Sequence, residues 1–205
     1  MNRHYVTLST FCLFLLSGCA TEPTQRYQFL SESSEAVSYS QSGQHKQAAS
    51  LYQTLAKTKP AHRIDYNLLA AESYVQSGDS QVAQSIVESI NPGLLTTAQR
   101  NKLSLVVIQI SLSNGETEKA LNQLQVTQPY NLSPADQIIF YQSLAFAHSL
   151  TGNLLLSTQA RIQLTPLLES NQQRSENNAV ILDTLILLSS QDLSLQQPPA
   201  PDILG

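Results

Sequence analysis

The stretch YSQSGQHKQAASLYQTLAKTKP, residues 39–60, decides the fold through four marks: an aromatic at Tyr39, a glycine at Gly43, an alanine at Ala48 and a proline at Pro60. A glycine between two apolar-periodic segments ends one helix by taking up a left-handed backbone, and a small side chain five residues on lets the next helix pack closely. The marks recur. Gly78, Gly115 and Gly152 follow Gly43 at intervals of 35, 37 and 37 residues, and Ala83, Ala120 and Ser157 each stand five residues after their glycine. Pro92, Pro129 and Pro166 each lie fourteen residues beyond their glycine and mark where the second helix of a pair stops. Near-equal intervals of this length are the signature of a stacked repeat.

Between these marks the apolar residues keep a helical period. Ala48, Leu51, Tyr52 and Leu55 follow the i, i+3, i+4, i+7 rule, and Val82, Ala83, Ile86, Val87 and Ile90 repeat it. Helices preceding the glycines are expected from the stripes Ile64, Leu68, Ala71, Tyr74, Val75, then Leu103, Val107, Ile110, then Ile138, Tyr141, Leu144, Ala145, His148. The β-branched run LSLVVIQISL from Leu103 would pass for a strand, but its place in the repeat predicts a buried helix. Helix pairs of this length resemble the tetratricopeptide repeat, the first matching best through Tyr39, Gly43, Ala48, Tyr52 and Pro60. Later units diverge: Ser111 and His148 replace the first aromatic, and Arg161 stands in place of the second. The expected fold is all-α, a solenoid of about four divergent tetratricopeptide-like pairs in which stacking supplies the core that no pair has alone.

Upstream, MNRH is followed by the apolar run from Tyr5 to Leu16 and then by SGCA, the layout of a secretory signal peptide. The run is too short to cross a bilayer, which takes about 20 apolar residues. Leu16, Ser17, Gly18 and Cys19 resemble the lipobox of bacterial lipoproteins. That resemblance implies cleavage before Cys19, a diacylglycerol on its thiol and acylation of the new amino group. Cys12 would leave with the signal. Each buried methylene of an acyl chain contributes about 0.8 kcal/mol, so two or three chains anchor a protein durably. Ala20, where lipoproteins kept at the inner membrane often carry Asp, directs the expectation to the outer membrane, with the body facing the periplasm. The expected organisation is a signal peptide over 1–18, a lipidated tether over 19–33, helical repeats over 34–190 and a Pro-rich linker over 191–205.

Composition narrows the function classes. The 205 residues are 41% hydrophobic and 13% charged, enough for one folded domain. A net charge of -4 leaves no cationic surplus for a phosphate backbone, so nucleic acid is not an expected partner. His45, His62 and His148 fall in no metal-ligand spacing, and neither a GxSxG elbow nor a GxGxxG or GxxxxGK phosphate loop occurs. Glu116 and Glu118 lie just after Gly115 at a helix start, where acids face the positive end of the helix dipole; capping, not catalysis, is expected of them. No cofactor, metal or catalytic residue is expected, and the chain reads as a non-enzyme. Any partner should meet the face lined by the first helix of each pair. That face is expected to carry Asp65, Leu68 and Glu72, then Leu105, Gln109 and Leu112, then Gln142 and Phe146, the partner-binding candidates being Asp65, Glu72, Gln109, Gln142 and Phe146. For Phe146 core packing is the favoured expectation over partner contact.

Lipobox, tether and divergent helix pairs together resemble the amino-terminal region of the LppC/LpoA family of penicillin-binding protein activators. RIDYNLLAAESYVQSGDSQVAQSIVESI from Arg63 is similar to an early helix pair of that family, and TTAQRNKLSLVVIQISLSNGETEKALNQL from Thr96 to its next. NNAVILDTLILLSS and the closing DILG are similar to the region before its later helices. The resemblance implies an outer-membrane lipoprotein that stimulates crosslinking by a class A penicillin-binding protein, with peptidoglycan nearby, and a second, larger domain resembling type 1 periplasmic binding proteins. The 205 residues are expected to be a truncated member without that second domain, through a shortened reading frame or an excised domain. Val180, Ile181, Leu182, Leu185, Ile186, Leu187 and Leu188 would leave the last helix of the solenoid too apolar for an outer face, so a covering element is expected. The competing reading is a generic tetratricopeptide lipoprotein serving outer-membrane or pilus secretin assembly.

Overall fold

A computed structural model describes residues 23–188, which form nine α-helices and no strand. They run α1 (Pro23–Gln41), α2 (His45–Thr58), α3 (Arg63–Gln76), α4 (Ser80–Glu88), α5 (Thr97–Ser113), α6 (Thr117–Val126), α7 (Pro134–Leu150), α8 (Leu154–Leu164) and α9 (Asn171–Leu187). Four pairs, α1 with α2 through α7 with α8, and the single helix α9 make the expected all-α solenoid. The lipobox with Cys19 and the segment 191–205 lie outside the described residues.

The four glycines join the pairs in one geometry. Gly43, Gly78, Gly115 and Gly152 have φ of 75°, 85°, 78° and 73°, a backbone that L side chains rarely adopt. At each, the following N–H donates back to the carbonyl five residues earlier, as from Gln44 to Tyr39 at 2.8 Å and from Glu116 to Ser111 at 2.8 Å. The glycine N–H reaches the carbonyl three residues back, which completes a Schellman motif and satisfies the last carbonyls of the helix. The small residues then do as expected: Ala48, Ala83, Ala120 and Ser157 are all buried where the helices of a pair approach. Ser157 is the polar one, and its hydroxyl donates to the Ala145 carbonyl at 2.8 Å, so its burial leaves no orphan group. After each second helix, Pro60, Pro92, Pro129 and Pro166 sit in a 3-10 turn that redirects the chain into the next pair.

A second period accompanies the glycines. Thr96, Ser133 and Ser170 cap α5, α7 and α9, each accepting a hydrogen bond from the N–H three residues on, and they stand 37 residues apart. Gln99 and Gln173 return the bond as capping boxes.

The core is a chain of clusters laid along the stack. Ala36, Ala48, Tyr52, Ala56, Tyr66 and Ala70 join α1, α2 and α3. Ala71, Ala83, Val106 and Ile110 join α3, α4 and α5. Leu105, Ile108, Leu112, Ala120, Leu124, Leu132, Phe140 and Ala147 join α5, α6 and α7. Helix α5 thus buries two flanks, one toward each neighbouring pair, which is why its sequence reads as a nearly continuous apolar run. Two expectations are corrected here. The tether placed over 19–33 is helical from Pro23 onward, since proline suits the first turn of a helix, where its missing N–H costs no bond. Leu68, Leu105 and Leu112, expected on the partner face, are core residues, because a first helix in a stack is flanked on both sides.

Candidate interaction face

The first helices α3, α5 and α7 pack side by side, and polar side chains tie them together. Lys102 of α5 stands between two carboxylates: its Nζ is 2.8 Å from Glu72 Oε2 on α3 and 3.4 Å from Asp136 Oδ1 on α7. The three side chains are only 17%, 12% and 15% exposed. A shielded pair of this kind adds little net stability over apolar packing, yet removing one partner strands a charge and is costly. Two further ties flank it: Gln99 Nε2 donates to Asp65 Oδ1 at 2.8 Å and Asn101 Nδ2 donates to the Asn131 carbonyl at 3.1 Å. Within the start of α7, Ser133 Oγ donates to Asp136 Oδ2 at 2.8 Å.

The five sequence-derived candidates therefore divide. Asp65 accepts from Gln99 and lies 3.8 Å from His62 Nδ1, so it serves a joint between helices. Glu72 is buried and ion-paired, a correction to its expected place toward a partner. Its charge helps to raise the Tyr52 phenol above the ordinary range, behind the larger effect of burial. Gln109 holds its Oε1 buried without a hydrogen-bond partner. Gln142 and Phe146, one turn apart on α7, are the pair open to solvent; Phe146 is 48% exposed, a correction to the core position favoured for it. Sequence reasoning missed Lys102, the residue that joins three helices. The signal was its position: a cation directly before the apolar run of α5, about one repeat from Glu72 and from Asp136.

At the far end, α9 packs chiefly on α8 and barely on α7. Its buried residue is Asn177, whose Nδ2 donates to the Arg161 carbonyl at 2.9 Å and to Thr165 Oγ1 at 3.0 Å. Arg161 donates in return from one terminal nitrogen to Asn177 Oδ1 at 3.2 Å. The expected apolar surface is present: Leu182, Ile186 and Leu187 are 61%, 80% and 74% exposed.

Catalytic geometry is not found at the acidic turn. Glu116 occupies the N-cap position of α6 without a capping bond, and its carboxylate instead meets Lys119 Nζ at 2.6 Å, a correction to the capping expected of it. That hydrogen bond, then the lysine charge, holds the carboxyl below its ordinary range. Among the described residues no group of His, Cys, Asp or Glu could hold a metal, and no helix is long and apolar enough to cross a membrane.

Fold and face together define a class: a helical-repeat scaffold whose polar groups mostly secure its own joints. The chain belongs to the family described as "LppC putative lipoprotein", whose model matches residues 41–197. Among curated proteins it is similar to the penicillin-binding protein activator LpoA of Haemophilus influenzae, 29% identical over 112 residues, covering 55% of this chain and 19% of that protein. It is also similar to the activator LpoA of Klebsiella pneumoniae, 26% identical over 165 residues, covering 80% and 22%. The chain thus spans about a fifth of the length of these relatives. Among solved structures, the E. coli LpoA amino-terminal domain superposes with a TM-score of 0.67 at 20% identity, over 75% of this chain and 68% of that one. Full-length LpoA of Haemophilus influenzae gives 0.63 at 20%, over 73% and 27%. These superpositions carry the fold.

Proposed function

We propose that this chain is a non-enzymatic outer-membrane lipoprotein, anchored through Cys19 and facing the periplasm, that activates a class A penicillin-binding protein in peptidoglycan synthesis. The observation that carries the reading is the family match over residues 41–197, joined to relatives named as penicillin-binding protein activators. The lipobox LSGC at 16–19 supports the anchor, and Ala20 the outer membrane. The solenoid is a fitting carrier for such a role, since repeat stacks present a long surface without moving parts. Gln142 and Phe146 are the part of the first-helix face free to meet a partner, because Asp65 and Glu72 are engaged in helix joints.

Crosslinking of the protein in its native envelope, followed by identification of what is captured, tests the reading. A class A penicillin-binding protein is the expected catch. Capture of secretin or barrel-assembly subunits with no penicillin-binding protein would overturn it in favour of a general assembly scaffold. Exchange of Cys19 for Ser should release the protein from the membrane fraction, and continued sedimentation with membranes would remove the anchor from the proposal.

A further inference from the structure

A groove of about 220 Å³ opens where α7, α8 and α9 meet. Among the described residues α9 leans on α8 rather than α7, and no side-chain tie like those of Lys102, Gln99 and Asn101 joins it to α7. Arg161 sits in the groove, nine residues after Gly152. The same register after the other glycines holds Tyr52, Val87 and Leu124, all part of the apolar core. A guanidinium thus replaces a core side chain, and burial lowers its pKa, while arginine keeps its charge at any physiological pH.

Among the described residues Arg161 has no carboxylate partner. Its side chain makes one protein hydrogen bond, to Asn177 Oδ1, whose amide nitrogen is spent on the Arg161 carbonyl and Thr165. A planar fork of five N–H donors with one satisfied is suited to an incoming carboxylate, which it can hold through two parallel bonds. Gln142 lines the groove from α7 and offers an amide donor. The apolar lining is Leu164 and Leu168, both buried, and the part-exposed Val180 of α9, beside the polar Gln173 and Asn177. Glu176 also borders the groove, with Oε1 accepting from Gln172 and no ion pair to Arg161; its charge works against every anion in the groove, so a ligand with one carboxylate on Arg161 is favoured over one with two. The volume is below the roughly 300–1,000 Å³ of sites for drug-sized ligands, so it suits a single residue.

We propose that this groove binds the carboxyl terminus of a peptide ending in an aliphatic residue, the carboxylate on Arg161 and Gln142 and the side chain against Leu164, Leu168 and Val180. The site is independent of the activator reading, for it specifies a chemical group and not a synthase.

The test is an NMR titration of the isotopically labelled full chain with three probes. Acetyl-Ala-Leu carries a free chain end, acetyl-Ala-leucinamide lacks it, and acetyl-glutamyl diamide carries a side-chain carboxylate on a blocked chain. The first should shift the Arg161 Nε–H and Asn177 signals saturably, and the amide should bind about tenfold more weakly or worse. Arg161→Gln should weaken the first probe to a similar degree, and Arg161→Lys by less. Should Arg161→Gln fail to fold, Gln142→Glu, at an exposed position, places a carboxylate beside the guanidinium and should abolish binding. Equal affinity for acid and amide, or no saturable shift with the first probe, overturns the site. Preference for the glutamyl probe overturns the chain-end assignment in favour of an acidic side chain.

Discussion

The middle of the solenoid and its α9 end are joined by opposite means. Between α3, α5 and α7 the interface is made of two apolar clusters, with Phe140 in one of them, together with the bridge of Lys102 and its two carboxylates. Between α8 and α9 it is a polar knot of Arg161, Asn177 and Thr165, while Leu182, Ile186 and Leu187 point to solvent. Both junctions follow the same glycine and proline marks, so a common backbone period does not impose a common interface. Apolar area removed from water contributes about 25 cal/mol per Å², whereas a net hydrogen bond contributes about 1 kcal/mol, so the two junctions should differ in what breaks them.

The largest effect is expected at the charge bridge. Lys102→Ala leaves two shielded carboxylates facing each other and should cost about 3–5 kcal/mol in urea unfolding. Adding Glu72→Gln and Asp136→Asn should recover most of it, because the penalty lies in the stranded charge; failure of that rescue would show packing around the lysine stem to matter more. Leu124→Ala, in the cluster of the middle pairs, should follow at about 2–5 kcal/mol. Gly115→Ala tests the shared joint: no atom lies within 4 Å of an added Cβ, so the loss is conformational alone, about 1–2 kcal/mol by thermal unfolding. At the far end, Leu187→Ser should change stability by no more than about 0.5 kcal/mol, since the side chain is already in water.

A pH dependence sharpens the same contrast. Burial lowers the pKa of His148, near the end of α7, from its usual 6.5, and its Nδ1 lacks a partner. The unfolded chain then binds the proton more readily, so this contribution to stability is full above pH 6.5 and is lost as pH falls toward the folded value. His148→Gln should flatten the decline between those limits in a series of urea melts.

The helix pairs were legible because their marks are local: a left-handed turn restricts one place to glycine and a close helix approach restricts another to a small residue, alanine three times and Ser157 once. The caps at Thr96, Ser133 and Ser170 carried an equally regular signal, obscured by the abundance of serine and threonine around them. The amino-terminal helix was misjudged because Pro23 reads as a breaker unless it stands first, where it starts a helix as readily. The interaction face was the less legible part. Which flank of α3 or α5 meets a neighbour depends on how the pairs rotate against one another, so Leu68, Leu105 and Leu112 could not be separated from surface residues by period alone. Lys102 needed three helices at once, and no single window of sequence contains them.

Sharing one ammonium between Glu72 and Asp136 has a mechanical consequence. A strain that opens the gap between α3 and α5 draws the lysine toward one carboxylate and away from the other, so the neighbouring gap relaxes in step. The two helix gaps are therefore not independent at this point of the face, since one charge sets the length of both contacts.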